Sequence, residues 1–261
     1  MPFAAALRKS LEDRDSEVSA EFLRGDSLEE VLNRHLMTVE QMGGDDVFTC
    51  ILLLSADGKY LTYGAAPTVP ASYCRASEKF EIGPCAGSCG AAAHFGQPVY
   101  SPDIEKDTVW GGLREHALSH GFRSCWSTPI RNSSDEIIGT FAILHRTIGM
   151  PTDDEIKVID MIIGHVADAI MLYRETPAHI RLKTPLLRLV SDNDCGGFPE
   201  GRLLALAKKL ELIAGDLDSY ASRSRSKSAT EHLKDAAKLS RKLAAKIAAK
   251  VDAINARRPE P

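Results

Sequence analysis

Residues 81–95 read Glu-Ile-Gly-Pro-Cys-Ala-Gly-Ser-Cys-Gly-Ala-Ala-Ala-His-Phe, and this run leaves the backbone few options. Gly83-Pro84 must end the strand before it. Gly87 and Gly90 permit a sharp turn or a close approach. Ser88 is suited to cap a helix carrying Ala91, Ala92 and Ala93. Such a turn leaves backbone N–H groups and a thiol at a helix N-terminus, where anions are favoured and a cysteine pKa falls. The stretch is expected to form the floor of a small-ligand site.

The rest of the chain bounds what can be built around that floor. Its 261 residues suffice for one sizeable core and an accessory region, or for two small domains. Hydrophobic residues make up 44% and charged residues 26%, as in a globular protein. Apolar runs such as Cys50–Leu54 are too short to cross a bilayer, and the N-terminus lacks the order of a secretory leader. A cytoplasmic location with no membrane partner is therefore expected. The six cysteines, Cys50, Cys74, Cys85, Cys89, Cys125 and Cys195, form no CxxC pair, so each is by default a thiol in a reducing compartment. His94, Asp103, His116 and His120 match no metal-ligand spacing, and no metal site is assigned. The net charge of −4 is unevenly spread: residues 1–175 carry 15 Lys and Arg against 26 Asp and Glu, whereas residues 176–261 carry 17 against 10. That shift marks a boundary near residue 175.

Taken in order, residues 3–22 show an apolar stripe of Phe3, Leu7, Leu11, Val18 and Phe22, which predicts a helix. Ser27, with Glu30 at the capping-box spacing, opens a second helix over Leu28–Met42, stopped by Gly43-Gly44. Val47–Ser55, the Asp57-Gly58 turn and Lys59–Tyr63 read as a hairpin. Short strands follow at Phe80–Ile82 and Pro98–Ser101, then a helix over Gly112–His120 closed by Gly121. Arg123–Ile130 and Ile137–Arg146 read as strands joined by a polar turn. Pro151–Glu155 starts a helix whose Ile156, Ile159, Ile163, Val166, Ile170 and Tyr173 form a heptad seam. The predicted class is α+β, an antiparallel sheet with helices to one side.

Beyond residue 175, Pro177, Pro185, Pro199 and residues 192–197 break the chain into a helix and a loop. Leu203, Leu206, Leu210, Ile213, Leu217 and Tyr220 form a second seam, and Ser219–Ser228 reads as a linker. Ala229–Ala256 predicts a last helix, with Leu239, Leu243, Ile247, Val251 and Ile254 on one face. The predicted organisation is residues 1–27 as an N-terminal helix, 28–175 as the main domain and 176–261 as an all-helical extension.

Three motifs carry a family resemblance: Gly87–Gly90, Asp103–Trp110 and His120–Ile130, the last reading His-Gly-Phe-Arg-Ser-Cys-Trp-Ser-Thr-Pro-Ile. With Ile137–Ile143 and Pro151-Thr152 they place residues 28–173 in a pattern that resembles a GAF domain, the small-molecule sensing module of bacterial regulators. The resemblance implies a pocket between sheet and loops, with Cys89, Asp103, Trp110, His120, Cys125 and Trp126 as ligand-binding candidates. It puts Cys89 on the turn over the pocket and Cys125 on the strand beneath, so Cys85, Cys89 and Cys125 are the redox candidates. The cofactor stays unknown, since GAF domains take haem and tetrapyrroles and no cysteine here sits in a bilin-attachment sequence.

The expected function is a sensor that binds a small ligand or reads redox state and signals through its flanking helices to a protein partner. The seams also predict a homodimer. One alternative is a thiol enzyme of the free methionine-(R)-sulfoxide reductase type, although that family keeps a cysteine on the loop where this chain has Cys125 in a strand. A second is DNA binding through the basic C-terminal helix, which lacks a recognition motif or interleaved aromatics. No P-loop, dinucleotide fingerprint, serine triad or kinase signature is present, and no catalytic output domain is recognised. His232 is expected to be a solvated helix residue.

Overall fold

The computed structural model describes residues 2–75, 79–175, 200–223 and 227–255. Helices α1 (Pro2–Arg24) and α2 (Leu28–Gly43) come first, then strands β1 (Phe48–Leu54) and β2 (Tyr60–Ala65), helix α3 (Ala71–Arg75) and strand β3 (Lys79–Glu81). Helix α4 (Gly87–Phe95) leads through β4 (Val99–Ser101) and a 3-10 turn (Thr108–Leu113) to α5 (Arg114–Ser119). Strands β5 (Ser124–Arg131) and β6 (Ile137–His145) precede α6 (Asp153–Glu175), α7 (Glu200–Ala221) and α8 (Lys227–Asn255). The strands form one antiparallel sheet in the order β3-β2-β1-β6-β5-β4. The α+β class and the helical C-terminal region are as the sequence predicts.

Local chemistry sets several boundaries. Across the β1–β2 turn the Ser55 N–H donates to the Tyr60 carbonyl at 2.8 Å and the Gly58 N–H to the Ser55 carbonyl at 2.9 Å. Helix α6 opens on a reciprocal capping box. The Glu155 N–H donates to Thr152 Oγ1 at 3.3 Å, and the Thr152 N–H and hydroxyl donate to Glu155 Oε2 at 2.7 and 2.8 Å. Gly139 lets β6 run close to β1, because a Cβ there would lie 2.3 Å from the Leu52 carbonyl oxygen.

Strand alternation sorts the central side chains onto two faces. Cys50, Leu52, Cys125, Ala142 and Leu144 lie beneath the short helices α3–α5 and the 3-10 turn. Trp126, Ile143 and His145 face Leu7 of α1, Val39 of α2, and Ile159 and Ile162 of α6 across a groove of about 910 Å³. Helices therefore cover both faces, not one as expected. The reason is that β5 and β6 are buried along nearly their whole length, so neither apolar face is left to water.

The chain divides into two compact units, Met1–Asp15 with Leu28–Ile170, and Ser16–Ser27 with Met171–Pro261. Within the first, the buried stripe of α6 runs through Ile159, Ile162, Val166, Ala169 and Ile170. It is turned slightly from the expected seam, leaving Ile156 and Ile163 half-buried. Within the second, the Phe22 and Tyr173 rings lie 5.2 Å apart, and α7 packs along α8. The α7 seam is buried at Leu203, Leu206, Leu210, Ile213 and Leu217. On α8 the buried residues are Leu233, Ala236, Ala237, Ser240, Ala244, Ile247 and Val251, while Leu239 and Leu243 are only half-buried. Small residues let two helices approach closely, and that contact displaces the leucine face the sequence suggested. Arg241 and Asp218 pair across the two helices. The Ser219–Ser228 linker is shorter than expected, since α7 continues to Ala221 and α8 resumes at Lys227. Pro177, Pro185, Cys195 and Pro199 lie outside the described residues, as do the side chains of Phe3, His232 and Ile254.

A buried carboxylate ties α2 to the sheet. Glu40 is 7% exposed, and its Oε1 accepts from the Thr49 N–H at 2.6 Å and the Thr49 hydroxyl at 2.7 Å. Glu40→Leu strands both donors, each unmet donor costing on the order of 1–3 kcal/mol. Chemical denaturation is expected to show a loss of about 2–4 kcal/mol for that variant, and about 1 kcal/mol or less for Glu40→Gln, which keeps an acceptor.

Candidate functional site

Helix α4 is the element that closes the site. Gly87 starts it at φ +67°, and a Cβ there would lie 3.3 Å from Leu113 Cδ1, so only glycine combines that turn with that contact. Ser88 does not cap the helix as expected. The N-cap is Ala86, without a side-chain bond, and Ser88 is buried one position inside the helix. Its hydroxyl lies 2.9 Å from Ser101 Oγ and 3.3 Å from the Cys125 carbonyl oxygen. The Trp110 indole N–H donates into the same pair, 3.1 Å from Ser88 Oγ and 3.0 Å from Ser101 Oγ. Ser88 is thus a pin joining α4 to β4 and β5.

Beneath α4 lies a cavity of about 30 Å³, walled by Cys50, Leu52, Tyr63, Tyr73, Phe80, Cys89, Trp110, Leu113, His116, Cys125, Ala142 and Leu144. Space of that size holds one or two waters.

Three thiols meet there. Cys50 and Cys125 sit on strands either side of β6, opposite Ala142 and Leu144 respectively, and Cys89 comes down from the first turn of α4. Hydrogen bonds from the Cys125 and Cys50 thiols outweigh burial and hold Cys89 well below the ordinary thiol range, with smaller help from the Ser127 and Thr140 hydroxyls. The same contact with Cys89, and then burial, push Cys50 and Cys125 well above it. The helix N-terminus favours the same charge on Cys89. Of the three thiols, the arrangement favours negative charge on Cys89. Among the described residues no group of three or more His, Cys, Asp and Glu is arranged to hold a metal ion.

The lid is an aromatic and imidazole stack. Tyr73 lies face to face with His116 at 4.9 Å, and the His116 Nε2 is 3.1 Å from the Tyr73 carbonyl oxygen. His120 stands behind them, its Nδ1 2.9 Å from the His116 carbonyl oxygen and its Nε2 3.0 Å from Ser72 Oγ. Burial raises the Tyr63 and Tyr73 hydroxyls far above their usual range, so both stay protonated.

Of the residues singled out from sequence, Cys89, Trp110 and Cys125 come together at this cavity. His120 is one layer back. Asp103 lies outside it and orders its own loop, accepting from the Glu105 N–H at 3.2 Å and pairing with Lys106 at 3.1 Å and Arg123 at 3.3 Å. Lys106 first, then Arg123, keep its carboxyl below the usual range against burial. Cys85 is exposed on the loop before α4. Trp126 is on the opposite face of the sheet, because neighbours on a strand point opposite ways. There its N–H donates to the Gly149 carbonyl at 2.9 Å and its ring meets His145 at 4.3 Å. Cys50, Tyr63, Tyr73 and His116 were not foreseen as site residues. Only the alternation within the first hairpin hinted that Cys50 and Leu52 share a face.

The thiol electrostatics have a direct readout. Alkylation of Cys89, followed by peptide mass, is expected to rise with pH and level off below the ordinary thiol value of 9.0, because a lowered pKa leaves thiolate present at neutral pH. Cys50 and Cys125, whose thiols are raised, should still be unreactive where Cys89 has levelled off.

Comparison with known proteins agrees with this architecture. A methyl sulfide methyltransferase-associated sensor of Methanosarcina acetivorans is 33% identical over 135 residues, which are 52% of this chain and 13% of that protein. The chain therefore spans a small part of that relative's length. The free methionine-R-sulfoxide reductase of Neisseria meningitidis superposes with a TM-score of 0.52 at 17% identity, covering 67% of this chain and 93% of that one. The GAF domain of an Acinetobacter phosphoenolpyruvate-protein phosphotransferase gives 0.47 at 12% identity, over 62% and 93%. Likeness at such identities is one of fold. The family profile described as GAF domain matches residues 25–171, more than half of the chain. The chain accordingly belongs to the GAF domain family.

Proposed function

We propose that this protein is a sensor whose input is the chemical state of the thiol pocket beneath α4. The observation that carries the reading is the convergence of Cys50, Cys89 and Cys125 on a cavity of about 30 Å³. A cavity that small suits an input of one or two heavy atoms, such as hydrogen peroxide, better than a drug-sized ligand. The name of the Methanosarcina relative, a sensor, supports the same class.

The chemistry follows from the residues. The Cys89 thiolate attacks one peroxide oxygen; the S–O bond forms, the O–O bond breaks, and the departing oxygen leaves as water after taking a proton. The thiol of Cys125 or Cys50 then attacks the sulfenic sulfur, the S–S bond forms and the hydroxyl leaves as a second water. Peroxide gains two electrons and the two thiols lose them. A disulfide would draw α4 toward the sheet. Trp110 then acts as a fixed wall, and Asp103, His120 and Trp126 act through loop order and packing rather than contact.

Residues 28–175 form the sensory domain in this reading, and residues 1–27 and 176–261 are the transmitting helices. A change of state at the pocket shifts their equilibrium by its differential contacts with two arrangements. The helical seams carry association with a second copy and with a protein partner.

The test is thiol counting and intact mass after stoichiometric peroxide, on the full chain. The wild type is expected to lose two free thiols, with Cys89 in the mapped disulfide, and Cys89→Ser to slow the loss by about tenfold or more. Thiols that survive excess peroxide, or a Cys89→Ser protein that reacts at the wild-type rate, overturn the reading. Sustained turnover of free methionine sulfoxide with a dithiol reductant would replace it with the reductase alternative.

A further inference from the structure

The layer of long helices holds a second ionisable cluster, independent of the thiols. Asp15 of α1 receives two imidazoles: His35 of α2, with Nε2 3.3 Å from Oδ1, and His165 of α6, whose Nδ1 meets Oδ2. His35 is 0% exposed. Its other ring nitrogen, Nδ1, is 3.0 Å from the Val31 carbonyl oxygen one turn back.

Both ring nitrogens of His35 thus face oxygen atoms. A carbonyl oxygen and an ionised carboxylate only accept hydrogen bonds, so both contacts are hydrogen bonds only when both ring nitrogens carry protons. A neutral His35 protonated on Nδ1 turns a lone pair toward Asp15; protonated on Nε2, it turns one toward Val31. Either tautomer forfeits one buried contact. His165 behaves differently, since Nδ1–H donates to Asp15 in both charge states and the bond is stronger when the ring is charged.

We propose that Asp15, His35 and His165 form a proton-gated clamp, which fastens α1 to α2 and α6 in mildly acidic conditions and loosens as His165 loses its proton. Asp15 is the last residue of α1 within the first compact unit, and both α1 and α6 continue beyond that unit along the chain. The clamp thus acts on helices that run out of the sensory unit.

The surrounding charges set the window. Glu12 of α1 and Asp168 of α6 face His165 along with Asp15. The hydrogen bond His165 donates to Asp15 comes first and, against burial, raises His165 above 6.5. Burial pushes Asp15 upward, but the hydrogen bonds from His165 and His35 prevail and hold it at about 2. A raised histidine stabilises fully below 6.5 and loses that contribution as pH climbs through its raised value. A lowered aspartate stabilises above 3.8 and loses its contribution as pH falls toward about 2. The clamp is tightest between those limits and is released on the alkaline side.

Amide hydrogen exchange across residues 2–15 of the full chain, corrected for intrinsic rates, tests this at about pH 5.5 and about pH 8.5, either side of the histidine range. Protection of the wild type is expected to fall roughly tenfold at the higher pH, and that of Asp15→Asn to be low at both. Wild-type protection that ignores pH, or an equal fall in Asp15→Asn, overturns the clamp. Imidazole nitrogen NMR of the wild type decides the matter even if the variant fails to fold. A titration midpoint of His165 above 6.5 is expected, and a midpoint at or below 6.5 refutes the proposal.

Discussion

The pairing of β6 with β1 on one side and β5 on the other is the constraint on which the rest of the molecule depends. Its register sets Cys125 against Leu144 and Trp126 against Ile143, so adjacent residues of one motif look out on different environments. A slip of one residue would exchange the two faces wholesale. Cys125 would then face the long helices and Trp126 would fill the cavity under α4. The thiol pocket and the ionic helix layer exist as separate chemistries because this register holds.

On the pocket face, a hydrogen-bonded network ties the short helices to the sheet. The Trp110 N–H, the Ser88 and Ser101 hydroxyls and the Cys125 carbonyl satisfy one another, while the His116 and His120 rings are held by backbone carbonyls and Ser72. A satisfied buried network is rigid, because each member's movement strands another. The walls are therefore fixed, and Cys89 lines the cavity between them. Negative charge is favoured there over Cys50 and Cys125 because two neighbouring thiols and a helix N-terminus offer part of what water offers at the surface.

The opposite face relies on carboxylates instead. Glu40 binds both donors of Thr49, Asp15 gathers two histidines, and Asp46 fastens the strand-to-helix loop after β6. Asp46 accepts from the Arg146 N–H at 2.9 Å and the Thr147 hydroxyl at 2.7 Å, and its carbonyl accepts from His145 Nδ1 at 3.0 Å. Hydrogen bonds to charged acceptors are stronger than neutral ones but depend on protonation. Asp15 and Asp46, both held below the usual carboxylate range by these bonds, keep the charge that makes them strong.

What the sequence by itself determined is local. The Gly-Pro break before α4, the hairpin at Asp57-Gly58, the Thr152 capping box and the helical periods act over a few residues, where backbone sterics and capping decide the outcome. The ordered motifs also revealed the family. The tertiary structure alone decided which side chains meet. Cys50 joined the site because β1 pairs beside β6, and Trp126 left it because strands alternate. Ser88 became a pin because Ser101 and Trp110 arrive from elsewhere in the chain. His35 and His165 share Asp15 across three helices, a contact between residues 150 apart in sequence for the second pair. Such meetings depend on register and packing between distant segments, and no short-range pattern encodes them.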